Sequence, residues 1–174
     1  LVSLSLARNR LEVLDLGALG ALGALTSLDV SANRLRRLHP GSGGGGGGVA
    51  RGEGLHTAAH PGELALPPKL RSLDASGNCV GTVDAAAFKR CARALARLLL
   101  ARNPLRTARG LGALPALAEL DLADCRVDSA EQLRPLAADG ALRELRIANN
   151  PLWRRYGPRL RVVLVNLLPQ LRSL

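Results

Sequence analysis

Leucine recurs along this chain at fixed offsets. From Leu1 the pattern reads Leu-x-x-Leu-x-Leu-x-x-Asn-x-Leu, and it returns from Leu25, Leu70, Leu95, Leu117 and Leu142. The fourth column holds Leu4, Leu28, Leu73, Leu98, Leu120 and Leu145. The sixth holds Leu6, Val30, Ala75, Leu100, Leu122 and Ile147, and the eleventh Leu11, Leu35, Val80, Leu105, Val127 and Leu152. Asparagine fills the ninth column as Asn9, Asn33, Asn78, Asn103 and Asn150, with Cys125 in the one remaining copy. Side chains alternate along a strand, so the fourth and sixth positions share one face. Stacking six such units pairs each strand with the next in a parallel sheet and buries one continuous aliphatic core. The asparagine stands where the chain turns away from the strand. There its amide can satisfy backbone groups of adjacent coils that would otherwise be buried unpaired. Cys125 reads as a buried structural thiol in the same role.

The unit starts lie 24, 45, 25, 22 and 25 residues apart. Four of these fit a repeat of about 20–29 residues. The spacing of 45 is one repeat plus an insertion, assigned to residues 40–66, whose Gly41–Gly48 run is broken only by Ser42. Such a stretch can bury almost nothing and reads as a disordered loop leaving the stack at one edge. In the returning segments, Asp84 is placed to cap a helix running toward Leu95. Ser129 and Gln132 form a capping box for a helix stopping near Gly140. Arg109 to Leu117 is too short for more than a turn.

The pattern is that of a leucine-rich repeat: an α/β solenoid, a curved right-handed coil with parallel strands on the concave face and short helices and turns on the convex one. The later units, such as Arg109 to Cys125, resemble the short intracellular repeats typified by the regulatory subunit of protein phosphatase 1. Asn150-Pro151-Leu152, Tyr156, Arg159, the apolar stretch after it and Leu168-Pro169 leading to Leu174 resemble the C-terminal cap of that class. The resemblance implies a single domain over 1–174 with six repeats and a cap over 151–174. It also implies a setting among cytoplasmic, cytoskeletal or axonemal assemblies, the cilium included. A cap would seal the open end of the stack, and Trp153 is expected to pack there. The chain opens inside a repeat, so further sequence is expected before Leu1.

Composition adds little chemistry. Aromatic residues make up 2% of the chain and hydrophobic residues 47%, so leucine must build the core. The net charge of +10 comes almost wholly from arginine, since Lys69 and Lys89 are the only lysines. In a chain rich in Ala, Gly, Pro and Arg this reads as codon bias more than selection for a polyanion. Few aromatics are present to stack bases, which argues against RNA. Cys79, Cys91 and Cys125 have no paired spacing, which favours a reducing compartment. Apolar runs such as Val162–Leu168 are too short for a bilayer.

No catalytic constellation emerges. His56 and His60 are four apart, but Thr57 stands where a zinc hydrolase needs glutamate, and the surrounding Gly and Pro oppose a helix. The glycine run lacks the Gly-Lys-Ser/Thr ending of a phosphate loop. Cys91 has no histidine partner. The reading is therefore of a non-enzymatic interaction scaffold with no cofactor, metal or membrane contact. Alternatives are a phosphatase regulatory subunit and a ribonucleoprotein component.

A partner would meet the outward strand positions. The third column is Ser3, Ser27, Ser72, Arg97, Glu119 and Glu144; the fifth is Ser5, Asp29, Asp74, Leu99, Asp121 and Arg146; the seventh is small throughout. Asp29, Asp74, Glu119, Asp121 and Glu144 are expected to bind a protein partner's basic segment. Leu99 would be an apolar anchor beside Arg97 and Arg102, with Arg146 also on this face. The plainer reading of each fifth-column aspartate is a solvated structural residue. The arginines Arg154, Arg155, Arg159, Arg161 and Arg172 form a second cluster that could meet an acidic surface.

Overall fold

The structure is a computed structural model that describes residues 1–38, 65–138 and 140–174. Every repeat begins with a three-residue strand: β1 (Ser3–Ser5), β2 (Ser27–Asp29), β4 (Ser72–Asp74), β6 (Arg97–Leu99), β7 (Glu119–Asp121) and β8 (Glu144–Arg146). They form one parallel sheet in chain order. The register aligns Leu4, Leu28, Leu73, Leu98, Leu120 and Leu145 one above the next. All but Leu4 are at most 1% exposed; Leu4, in the first of the described strands, is half-buried. Complete burial of a leucine side chain contributes about 1.5–3 kcal/mol, so these columns dominate the stability of the fold.

β2 pairs directly with β4 although the intervening spacing is the longest in the chain. The glycine run, His56 and His60 lie outside the described residues. Ala65 and Leu66, expected inside the insertion, belong instead to the core: they are 3% and 0% exposed. The Leu66 N–H also donates to the Ala87 carbonyl at 3.0 Å. Leu66 is an apolar residue on the approach to Leu70, and burial draws it onto the neighbouring return segment.

The asparagine column is a ladder of hydrogen bonds. Asn78 Nδ2 donates to the carbonyls of Val30 and Ala75, both at 3.0 Å, and Asn78 Oδ1 accepts the Leu35 N–H at 3.0 Å. Asn33, Asn103 and Asn150 repeat this triple link between their own coil and the one before. Cys125 keeps a weaker form of it: its Sγ donates to the Leu100 carbonyl at 3.4 Å and meets the Leu105 N–H. Burial raises the pKa of this thiol, with the nearby charges of Asp121 and Asp124 acting in the same direction.

One step earlier, the eighth column adopts the left-handed conformation in every repeat: Arg8, Ala32, Gly77, Arg102, Asp124 and Asn149 have φ between 52° and 64°. Only glycine takes this conformation freely, and Asn and Asp tolerate it. Arg8, Ala32 and Arg102 hold it because the ladder fixes the residues on either side.

The return segments differ from a helical reading in type more than in place. Asp84 does act as a cap, its Oδ1 accepting the Ala86 N–H, but the helix it caps, Ala85–Phe88, is 3-10 and gives way to turns. A 3-10 helix rises about 2.0 Å per residue against 1.5 Å for an α-helix, and so spans the return with fewer residues. Ala130–Ala138 is also 3-10; Pro135 within it lacks the N–H that an α-helical bond to Glu131 would need. Gln132 Oε1 accepts the Asp128 N–H, one residue ahead of the expected box. Two features had no forecast. One is α1 (Leu16–Gly20), capped by Asp15. The other is a second parallel pair, β3 (Arg37–Leu38) with β5 (Thr82–Val83), beyond the turn.

After Asn150 the chain forms α2 (Leu152–Tyr156), a 3-10 turn at Gly157–Arg159 and α3 (Leu160–Leu167). Leu160, Leu164 and Leu168 close onto the core. Trp153 does not pack there: it is 56% exposed. The chain then returns to the sheet. Arg172 and Ser173 donate to the Arg143 carbonyl, and Ser173 bridges to Glu144.

Candidate functional site

The parallel register turns the outward columns into straight rows across the strand face. Along the fifth row, Ser5, Asp29, Asp74, Leu99, Asp121 and Arg146 are successive neighbours. Ser3, Ser27, Ser72, Arg97, Glu119 and Glu144 form the third row. All eight expected contact residues therefore share one face, which divides into two chemically distinct halves.

In the later half the charges engage one another. Arg97 Nε lies 3.1 Å from Glu119 Oε2. Arg146 reaches Glu144 Oε1 at 2.7 Å, Glu119 Oε1 at 3.5 Å and Asp121 Oδ2 at 3.8 Å. Glu119 Oε1 is buried and accepts no hydrogen bond, so the Arg146 guanidinium is its compensation. Three acids share two arginines here, and little negative potential remains for a basic segment. Asp29 and Asp74 in the earlier half form no ion pair among the described residues.

The fifth-row aspartates also serve the backbone. Asp29, Asp74 and Asp121 each accept, through Oδ1 at 2.9 Å, the N–H two residues ahead. Such a bond holds the chain in its turn out of the strand. Burial alone would raise the Asp29 pKa. The N–H and hydroxyl of Ser31, the Ser5 hydroxyl and the charge of Arg8 outweigh it and hold the carboxyl below its ordinary value. Between the halves, Leu99 is half-buried with Asp74 and Asp121 on either side.

Cys91 is fully buried, and burial pushes its thiol up to about 11, which leaves it protonated at neutral pH. No cluster of His, Cys, Asp or Glu among the described residues could hold a metal ion. No described helix is long and apolar enough to cross a membrane. All three cysteines are free, with Cys79 exposed.

The sequence reading missed a groove of about 910 Å³ at the end of the stack. Ile147, Leu160 and Cys125 line it together with the exposed Trp153, Leu174 and the arginines Arg146 and Arg154. Its only signal in the sequence is the clustering of Trp153 with the later arginines.

Comparison with known proteins bears on the fold. The leucine rich repeat family profile matches residues 1–45. No curated protein matches the chain. Among solved structures, a leucine-rich-repeat protein of Leptospira interrogans superposes with a TM-score of 0.70 at 21% identity, over 99% of this chain and 36% of that one. The APL1 leucine-rich repeat domain gives 0.58 at 25% identity, over 86% and 31%. TLR13, crystallised as a complex with ssRNA13, gives 0.68 at 20% identity, over 99% and 22%. The chain thus spans about a third or less of the length of these proteins. Six short parallel strands in register, an asparagine ladder and these superpositions lead to one conclusion: the chain has the leucine-rich-repeat fold.

Proposed function

We propose that this chain is a non-enzymatic interaction module that holds a protein partner on its strand face, with the earlier half as the electrostatic contact. The observation that carries this reading is the contrast between the two halves. The carboxylates of Asp29 and Asp74 carry no arginine ion pair among the described residues, whereas Glu119, Asp121 and Glu144 are already compensated by Arg97 and Arg146. A basic stretch of the partner meets Asp29 and Asp74, and its neighbouring apolar side chain meets Leu99. The small seventh-row residues leave room for the partner's backbone. The later half fixes where that segment stops, because its compensated charges offer a basic group nothing further. The resemblance of the segment after Asn150 to the cap of short intracellular repeats supports a cytoplasmic setting in a cytoskeletal or ciliary assembly.

Asparagine is the right substitution for the test. Asp29→Asn with Asp74→Asn keeps the oxygen that accepts the backbone N–H and removes only the charge. Partner capture from a ciliated-cell extract, followed by quantitative mass spectrometry, should lose its principal bound protein with this pair. It should keep it with Asp121→Asn, since that carboxylate already faces Arg146. Equal capture by wild type and the Asp29/Asp74 pair contradicts the reading.

A further inference from the structure

Where the chain turns out of each strand it builds a second continuous surface, along one edge of the stack. From the second coil to the fifth, the ninth and eleventh columns are buried, so the eighth, tenth and twelfth face outward. The main chain is bonded from coil to coil here as it is in the sheet. The N–H groups of Arg34, Cys79 and Arg126 donate to the carbonyls of Leu11, Leu35 and Leu105 one coil earlier, at 2.8–2.9 Å. Outward residues of one column are therefore neighbours in space.

Three successive coils give this edge its character. The second presents Arg34 and Arg36, the third Gly77, Cys79 and Gly81, and the fourth Arg102 and Arg106. All four arginines are exposed, and none forms an ion pair among the described residues. The third coil is nearly bare: a Cβ built on Gly81 meets nothing within 4 Å. Coils in register lie about 4.8 Å apart, so the two arginine sets face each other across a strip about 10 Å wide. Acids mark its limits. Glu12 stands in the twelfth column of the first coil, and Asp124 and Asp128 stand beside Arg102 and Arg106 on the fifth. Asp124 Oδ1 is already engaged by Asn149 Nδ2 at 3.0 Å. The surplus of positive charge is confined to the three coils between.

We infer that this edge binds a short, extended acidic segment of a partner protein, its carboxylates held by Arg34, Arg36, Arg102 and Arg106 and its main chain lying over Gly77, Cys79 and Gly81. Alternate side chains of an extended chain share one face, and three of them span about 13 Å at about 3.3 Å per residue. The outer two acids reach the arginines on either side, and the middle one lies over the bare strip. Guanidinium groups pair with carboxylates through two parallel hydrogen bonds, which fixes orientation as well as charge. A nucleic-acid strand fits this edge less well. Its charge continues evenly past the point where Asp124 and Asp128 begin, and none of the outward columns of these coils carries an aromatic ring for a base. The contact is independent of the one at Asp29 and Asp74, which lies on the strand face and takes the opposite charge.

Cys79 reports on occupancy. It is exposed while Cys91 and Cys125 are buried, so alkylation by iodoacetamide, followed by mass spectrometry, reads this position. The probe is a capped, rhodamine-labelled Gly-Glu-Ala-Glu-Ala-Glu-Gly peptide, titrated into the whole chain by fluorescence anisotropy. Saturable binding is expected, with slower alkylation of Cys79 in the presence of unlabelled peptide. Arg34→Glu with Arg106→Glu should weaken binding by about tenfold or more. Arg154→Glu with Arg161→Glu makes the same change of net charge on the cap and should leave binding unchanged. Both pairs replace exposed side chains, and circular dichroism checks that each variant keeps its fold. The peptide with glutamine for glutamate should neither bind nor protect. Three results overturn the inference: equal weakening by the two pairs, which means attraction to net charge alone; unprotected Cys79 at saturating peptide; or displacement of the peptide by oligouridylate at lower concentration than by unlabelled peptide.

Discussion

Replacing Asn78 by alanine isolates what the ladder contributes. The side chain is 7% exposed and links two coils through both ends of its amide. Its two main acceptors each keep another donor: the Val30 carbonyl retains Asn33 Nδ2 and the Ala75 carbonyl retains Asn103 Nδ2, both at 3.0 Å. The Leu35 N–H has no such reserve. Asn78 Oδ1 is its acceptor, and Leu35 is fully buried. One stranded buried donor costs about 1–3 kcal/mol, and each hydrogen bond lost adds a net of about 0.5–1.5 kcal/mol. Asn78→Ala should therefore destabilise the fold by about 3 kcal/mol. Asn9→Ala is the matched control, because Asn9 is exposed and its Nδ2 serves only its own turn, at Leu6 and Ala7; its cost should stay within about 0.5 kcal/mol. Equilibrium urea unfolding followed by far-ultraviolet circular dichroism measures both. Equal midpoints for the two variants would refute the argument that the amide bridges coils.

The ladder also predicts a gain: Cys125→Asn gives the Leu105 N–H an amide oxygen in place of the weaker sulfur acceptor it now meets and should raise stability by about 1 kcal/mol or less in the same assay. In the left-handed column, Ala32→Gly and Arg102→Gly should each stabilise, whereas Gly77→Ala should destabilise, by about 1 kcal/mol or less in either direction. The added Cβ at Gly77 meets Ala32 at 3.6 Å, so conformation alone is being tested. Gly112→Ala differs in kind. Its Cβ would lie 2.3 Å from the Pro135 carbonyl oxygen, so the two return segments must part. A loss of about 2 kcal/mol or more is expected by thermal melting. The depressed Asp29 pKa predicts a pH effect. Its stabilisation is present above the unfolded aspartate value of about 3.9 and is lost as pH falls through the lower folded value. Asp29→Asn removes that contribution, so the variant should be less stable than wild type at neutral pH, with the gap closing as pH falls below about 4.

The columns of the repeat were legible because each has a single mechanical job. A leucine every coil at the fourth position can only stack, and an asparagine at the ninth can only link turns, so register followed from spacing. The return segments were harder to read. Asp84 and Gln132 signal that a helix starts but carry no information on its pitch, which the length of the return and Pro135 decided. The eighth column was illegible because Arg8, Ala32 and Arg102 have no preference for the left-handed region; the neighbouring ladder imposes it. On the strand face, spacing placed all eight candidates in two rows. It could not show that Arg97 and Arg146 compensate Glu119, Asp121 and Glu144, because that depends on side chains one coil apart. Trp153 was misplaced for a related reason: an aromatic residue beside an apolar helix reads as core, yet here it walls a groove.

The claim on which the account rests is that a single stack runs unbroken through the long spacing between the second and third repeats. Amide hydrogen exchange measured by NMR tests it at the bonds that cross there. These are Val30 to Asp74, Ala32 to Ser76, and Arg71 and Ser72 to Thr26. Protection at Val30, Ala32, Arg71 and Ser72 equal to that at Leu100 and Ala118 is the predicted result. Rapid exchange at those four, with Leu100 and Ala118 still protected, would mean that the two sides fold apart and that no common strand face exists.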